Sequence, residues 1–221
     1  VSVTFIALGI SVPLGILTAI FISEIIPEKY RLYIKSAIEL LAGIPSIIYG
    51  LIGIAFFSAW VSSLFELPTG RTILTAGILL SIMILPTIVT LIEDVLHNIP
   101  KKYREASKGL GLYQFETITK TLLPIAKKDI AGAVLLALGR ALGETMAVML
   151  LIGSIDRIPE PFYNVLNPGQ TMTSKLGREI GESAFGSLHF RTLNAIGFLL
   201  FLIVITVTII TQLYFKKERR L

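Results

Sequence analysis

Four stretches of this chain run for more than twenty residues without a charge: Val1 to Ser23, Leu40 to Phe65, Thr72 to Ile92 and Thr192 to Phe215. A hydrocarbon core about 30 Å thick is crossed by roughly 20 apolar residues in a helix. Lipid offers no partner to an open backbone, so each stretch predicts a membrane-spanning helix. The bulk composition agrees, with 53% of residues hydrophobic, 16% charged and a mean hydropathy of +0.77, too apolar for a soluble domain. A fifth segment, Ile130 to Ile155, has the length of a span but carries Arg140 and Glu144. The expected fold is a single-domain, all-α integral membrane protein: a polytopic bundle with spans near 1–23, 40–65, 72–92, 130–155 and 192–215.

Helix breakers stand where the runs end: Pro27, Pro68 with Gly70, Pro100, Pro124, and Pro159, Pro161, Pro168 and Gly169 beyond the fifth segment. Pro45 and Pro86 fall inside spans and are expected to kink them. Gly50 with Gly53, and above all the G-x-x-x-G pair Gly139 and Gly143, suggest helix faces that let a neighbouring backbone come close. Trp60 reads as an interfacial belt residue. With no cysteine in the chain, disulfides and thiolate chemistry are excluded. The first run exceeds the apolar core of a signal peptide and lacks a basic lead, so it reads as a true span.

The net charge of +5 does not mark a nucleic-acid surface, because the basic residues sort by loop. Fourteen of the twenty Lys and Arg follow span one (Lys29, Arg31, Lys35), lie before the fifth segment (Lys101 to Lys128), or close the chain (Lys216, Lys217, Arg219, Arg220). The opposite loops hold Arg71, Arg157, Lys175, Arg178 and Arg191. The positive-inside rule then places the first set, and the C-terminus, in the cytoplasm. An outer loop, 156–191, contains the polar stretch Thr173 to Glu182, expected to form a brief helix over the outer mouth.

The inner loop, 101–123, reads as a short helix after Pro100, a turn at Gly109 and Gly111, and a second short helix ended by Pro124. Its apolar positions Tyr103, Ala106, Leu110, Phe115 and Ile118 would mark one face of a hairpin able to dock in a groove of another protein. Glu105-Ala106-Ser107, with Gly111 four residues later and Leu123-Pro124 beyond, resembles the E-A-A-x-x-x-G and I-x-L-P signature of ABC importer permeases. Ser107 stands where that signature has alanine and Thr121 where isoleucine is usual. The resemblance implies that this segment forms the coupling helices seated in an ATPase subunit.

Arg140 lies eleven residues after Asp129, roughly 16 Å into the bilayer at 1.5 Å per residue. A charge at that depth costs about 2.5–3.5 kcal/mol on insertion scales, so it must face protein or water. Glu144, at i+4, is placed to pair with it. One reading is a self-neutralising pair that fixes packing. The other is a guanidinium fork for an oxyanion, with Glu144 orienting it or offsetting its charge. The stretch from Ala137 to Val148 is similar to a helix of phosphate-specific ABC permeases, particularly the PstC type, as is Leu41 to Leu51.

What that resemblance implies is phosphate import. The partners it brings are a second permease subunit (PstA-like, or a second copy), two cytoplasmic ATPase subunits and an extracytoplasmic phosphate-binding protein. A related permease for sulfate or molybdate is the alternative. The family type has six spans, so a sixth would precede Val1. No G-x-x-x-x-G-K-[ST] occurs, and ATP and Mg are expected on the partner ATPase, with no cofactor on this chain. The two histidines, His97 and His189, are far apart, and no H-E-x-x-H or G-x-S-x-G is present, which leaves nothing for a membrane-embedded enzyme.

Overall fold

The computed structural model describes residues 1–156, 160–161 and 163–216, with side chains through residue 210. Of the basic residues read above, Arg157, Lys217, Arg219, Arg220 and the side chain of Lys216 lie outside that set, as does Pro159. Among the described residues the regular structure is all helical, apart from a lone bridge between Gly153 and Gly169.

In order, α1 (Ser2–Ile20) runs on into a π-turn (Phe21–Ile25), followed by α2 (Glu28–Ala42). Next come α3 (Ser46–Ile52), a second π-turn (Gly53–Ser58) and α4 (Ala59–Phe65), all in one line. Then follow α5 (Ile73–His97), α6 (Lys101–Gly109), α7 (Gln114–Thr117), a third π-turn (Ile118–Leu122) and α8 (Leu123–Gly143). The chain closes with α9 (Met146–Leu151), α10 (Met172–Glu179) and α11 (Leu188–Lys216).

Four of these stretches are long and apolar enough to cross a membrane: Ser2–Ile25, Ser46–Phe65, Ile73–His97 and Leu188–Ile210. The molecule is therefore an all-α polytopic membrane bundle. Two expectations need correction. The second span starts at Ser46, because residues 40–42 finish α2 and Pro45, with extended backbone, stands at the start of α3 instead of kinking a span. The fifth segment is not one helix: Glu144 leaves the helical region (φ −66, ψ 126) and splits it into α8 and α9.

Proline acts differently where it does fall in a helix. α5 is continuous through Pro86, and α1 through Pro13, which the sequence reading passed over. Pro124 does not end a helix; it sits in the first turn of α8, directly after the third π-turn. A proline removes one i−4 hydrogen bond and its ring presses on that carbonyl. The widened turn relieves both, with the Leu123 N–H bonding back to the Ile118 carbonyl, so α7 leads into α8 without interruption.

Lipid tails are as apolar as leucine, so helices associate in a membrane through close packing of small residues. α5 is the hub: 67% of its span is buried inside the chain, against 6% for α11, which runs along the edge. α1 lies along α5. A Cβ at Gly15 would come 2.5 Å from Ile88 Cγ2, and one at Gly77 2.7 Å from Ile6 Cγ2, so each helix lends the other a glycine. Gly50 and Gly53 do the same for Leu150 and Leu151 of α9.

The packing face of α8 is not the glycine pair. Its buried residues are Ala126, Ile130, Ala133, Ala137 and Ala141, an alanine stripe at helical spacing. Gly139 is two residues from both Ala137 and Ala141, about 200° around the helix. It therefore faces away, and a Cβ at Gly139 or Gly143 would meet open space. Among the described residues neither glycine receives a neighbour.

Candidate functional site

Arg140 rises from the last turn of α8, about 60° around the helix from the alanine stripe and on its α5 side, and its side chain is exposed. Its Nη1 donates to the hydroxyl of Thr87 at 2.6 Å, and Nη2 reaches the Ala42 carbonyl at 3.5 Å. Thr87 lies fourteen residues into α5, roughly 21 Å from the start of a helix about 37 Å long. Ala42 is the last residue of α2, where the chain breaks before Pro45. The Tyr49 hydroxyl caps the neighbouring Leu41 carbonyl at 2.9 Å. The guanidinium thus sits a little past the middle of α5, between two helix breaks, 43–45 and 144–145. The rest of its five N–H donors find no partner among the described residues.

The expected pairing with Glu144 does not form. Once Glu144 leaves the helix, the i+4 geometry is gone, and its carboxylate turns to accept the Ala147 N–H at 3.2 Å, capping α9. Its carbonyl accepts the Thr173 hydroxyl at 2.9 Å, which binds the break to α10. Gly177 of α10 is held against Thr145, where a Cβ would come 2.8 Å from the threonine methyl. A cavity of about 50 Å³ opens beside Glu144, lined also by Thr4, Leu80, Thr171 and Thr173.

α10 is the brief helix expected in the outer loop, beginning at a capping box on Thr171. It is pinned by charges: Lys175 pairs with Asp156 and with Glu179 (2.8 Å), and Glu179 also meets Arg178 (3.0 Å) and His189 (3.1 Å). The hydrogen bond from Lys175 holds the Glu179 carboxyl below the usual glutamate range, against a smaller desolvation effect. Hydrogen bonds to Asp156 and then Glu179 raise the Lys175 ammonium.

At the other end, where the basic loops gather, α6 and α7 form a hairpin. Gly111 turns it with φ +78, a left-handed conformation that suits glycine. Glu105, Ala106 and Gly109 are exposed, as are Leu110, Tyr113 and Phe115; Ile118, assigned to the same face, is buried. The two departures from the family signature prove to be neighbours. The buried Ser107 hydroxyl lies 2.9 Å from the Tyr103 carbonyl and 3.0 Å from the hydroxyl of Thr121.

Three charged groups here were not singled out from the sequence. Arg104 forks onto the Glu24 carboxylate (Nε 3.1 Å, Nη2 2.6 Å) and donates to the carbonyls of Leu96 and Ile99 at 2.8 Å each. Glu93 is buried in the last turns of α5 and pairs with Arg31 of α2, with Lys35 Nζ 3.0 Å away. Lys35 also bonds Asp94, and Arg31 touches His97. The available signal was position: Glu24 is the first charge after run one, and Glu93 the first after run three.

Residues 11–220 match the family model described as "Binding-protein-dependent transport system inner membrane component". The phosphate transport system permease protein PstC of Pasteurella multocida is 37% identical over 240 residues, covering 98% of this chain and 73% of that protein. The probable ABC transporter permease protein YqgH of Bacillus subtilis is 36% identical, covering 99% of this chain and 69% of that one. Among solved structures, the inward-facing MetNI methionine ABC transporter matches with a TM-score of 0.63 at 19% identity, over 96% of this chain and 89% of its own. An amino acid ABC transporter matches at 0.61 and 18%, over 99% and 89%. At those identities the likeness is of fold alone.

Proposed function

Because the chain belongs to the family of binding-protein-dependent transport system inner membrane components, we propose that it is a permease subunit of an ATP-driven importer of inorganic phosphate. The observation that carries this is the exposed guanidinium of Arg140, held beside the middle turns of α5 between two helix breaks with donors to spare. Facing hydrocarbon would cost such a group several kcal/mol, so its face belongs toward water or a second subunit. A planar fork suits a tetrahedral oxyanion. The relatives named PstC point to phosphate among the oxyanions.

In this reading the fifth span is the broken pair α8 and α9, and the basic end lies in the cytoplasm, as does the C-terminus. The α8 face that carries Gly139 and Gly143 meets the second permease, a PstA-like subunit or another copy, with Arg140 at the edge between that face and α5. The α6–α7 hairpin, braced from within by the buried Ser107, sits through Glu105, Ala106, Gly109 and Gly111 on one of two ATPase subunits that hold ATP and Mg. Leu123 and Pro124 carry its motion into α8. An extracytoplasmic binding protein delivers phosphate to the α10 side. Closure of the ATPases then rocks the helices so that Arg140 faces each side in turn. Glu144 takes part by capping α9 beside the pathway.

The test is labelled phosphate uptake into vesicles containing the assembled transporter. Arg140→Gln is expected to abolish uptake while the subunits still co-purify; normal uptake in that variant refutes the assigned role. Competition by sulfate or molybdate at equal potency would move the substrate to another oxyanion.

A further inference from the structure

Both limbs of the hairpin grip one residue at the end of α1. From α6, Arg104 places two donors on the Glu24 carboxylate. From α7, the Gln114 Nε2 donates to the Glu24 carbonyl at 2.6 Å. The Ser23 hydroxyl, 2.9 Å away, holds the carboxylate in place, and Glu24 is largely buried, at 9% exposure of its side chain. The same guanidinium reaches the Leu96 and Ile99 carbonyls at the end of α5. One side chain therefore ties the hairpin to both members of the α1–α5 pair.

The covalent routes out of the hairpin explain why this matters. α8 follows the hairpin directly, since α7 passes into it through the π-turn without a break. α5 is joined to α6 only by the short link 98–100, and α1 has no nearby covalent link at all. α1 and α5 are locked to each other through Gly15 and Gly77. Without the Arg104 contacts, a push on the hairpin would move α8 directly but reach the α1–α5 pair only through the Gln114 bond, the 98–100 link and the packing of α8.

We infer that Arg104 and Glu24 form the joint through which the coupling hairpin moves the α1–α5 pair, which makes them positioning residues for transport. The inference rests on the importer reading above. Lysine in place of Arg104 would keep the charge but could not serve a carboxylate and two carbonyls together, because it is a point donor without the planar fork.

The experiment reconstitutes the complete transporter in vesicles and measures phosphate moved and ATP hydrolysed in the same sample. Glu24→Gln keeps the side chain's size and weakens the charged fork; Arg104→Lys keeps the charge and loses the geometry. For each, phosphate moved per ATP is expected to fall on the order of tenfold, with hydrolysis within about twofold of wild type, in keeping with the loss of a charge-assisted hydrogen bond. A merely structural role would lower both activities together, and that result, or an unchanged ratio in both variants, overturns the joint. If Arg104→Lys fails to assemble, Glu24→Gln alone decides. A wild-type complex that hydrolyses ATP without moving phosphate would instead sink the substrate reading, and leave the joint to be judged with the anion that is moved.

Discussion

Ser107 and Thr121 offer the sharpest energetic prediction, because each departs from the family signature and, among the described residues, their hydroxyls bond only each other and the Tyr103 carbonyl. Ser107 has 3% exposure. If its hydroxyl donates to Tyr103, the Thr121 hydroxyl donates to Ser107. Ser107→Ala then strands the Thr121 hydroxyl, and Thr121→Val leaves the Ser107 oxygen short of a donor. Stranding a buried polar group costs about 1–3 kcal/mol, whereas replacing both partners by apolar groups is nearly neutral. Thr121 is only half-buried, so the low end applies: about 1 kcal/mol for each single change. The double change is expected to cost less than the sum, by about 0.5–1 kcal/mol. Hydrogen exchange of the amides from Tyr103 to Leu122 reads local opening of the hairpin. One kcal/mol is about a fivefold rise in the opening constant. Two single changes whose costs simply add would refute the idea that these residues compensate for one another.

Two further outcomes follow from other parts of the chain. Gly111→Leu puts a branched side chain at φ +78, a strain of about 1–2 kcal/mol; ATP hydrolysis should then separate from transport, as a ratio of the two rates would show. The α10 pin should depend on pH at both edges. Glu179 lies below its ordinary value, so its contribution is present above the unfolded glutamate pKa of about 4.3 and is lost as pH falls through the lower folded value. Lys175 is raised, so its contribution is complete below about 10.4 and is lost as pH rises through the higher folded value. Protease protection of the outer loop should fall at both limits, and protection that persists unchanged through the acid limit would count against the pin.

The spans were legible because an uncharged run is a signal carried entirely by neighbouring residues. The same is true of the hairpin turn at Gly111 and of α10. What escaped depends on partners distant in sequence. The break at Glu144 is tolerated because Thr173, twenty-nine residues on, takes up its carbonyl. The glycine pair at 139 and 143 was the more conspicuous pattern, yet the alanine stripe two residues away does the packing, since alanine admits a close backbone almost as well. α2 went unread because its charges interrupt any apolar run, and its role is set by Glu93 on α5. Arg104 was hidden by standing next to Glu105: the motif drew attention to the exposed acid, while the buried contact is made by the base.

The placement of three arginines bears on what Arg140 is for. Arg31 and Arg104 lie near the basic end, at 14% and 22% exposure, and each is matched to a buried acid, Glu93 and Glu24. Removing one partner of such a pair leaves the other charge uncompensated, at a cost of about 3–5 kcal/mol, so both pairs read as fixed joints. Arg140 is deeper, where an unmatched charge is costlier still, and the one acid within a helical turn of it has been turned away to cap α9. A charge needed only for packing would have been neutralised there as the other two are. The chain instead keeps it open beside two helix breaks, which is the arrangement expected if the missing counter-charge arrives with a solute and leaves with it.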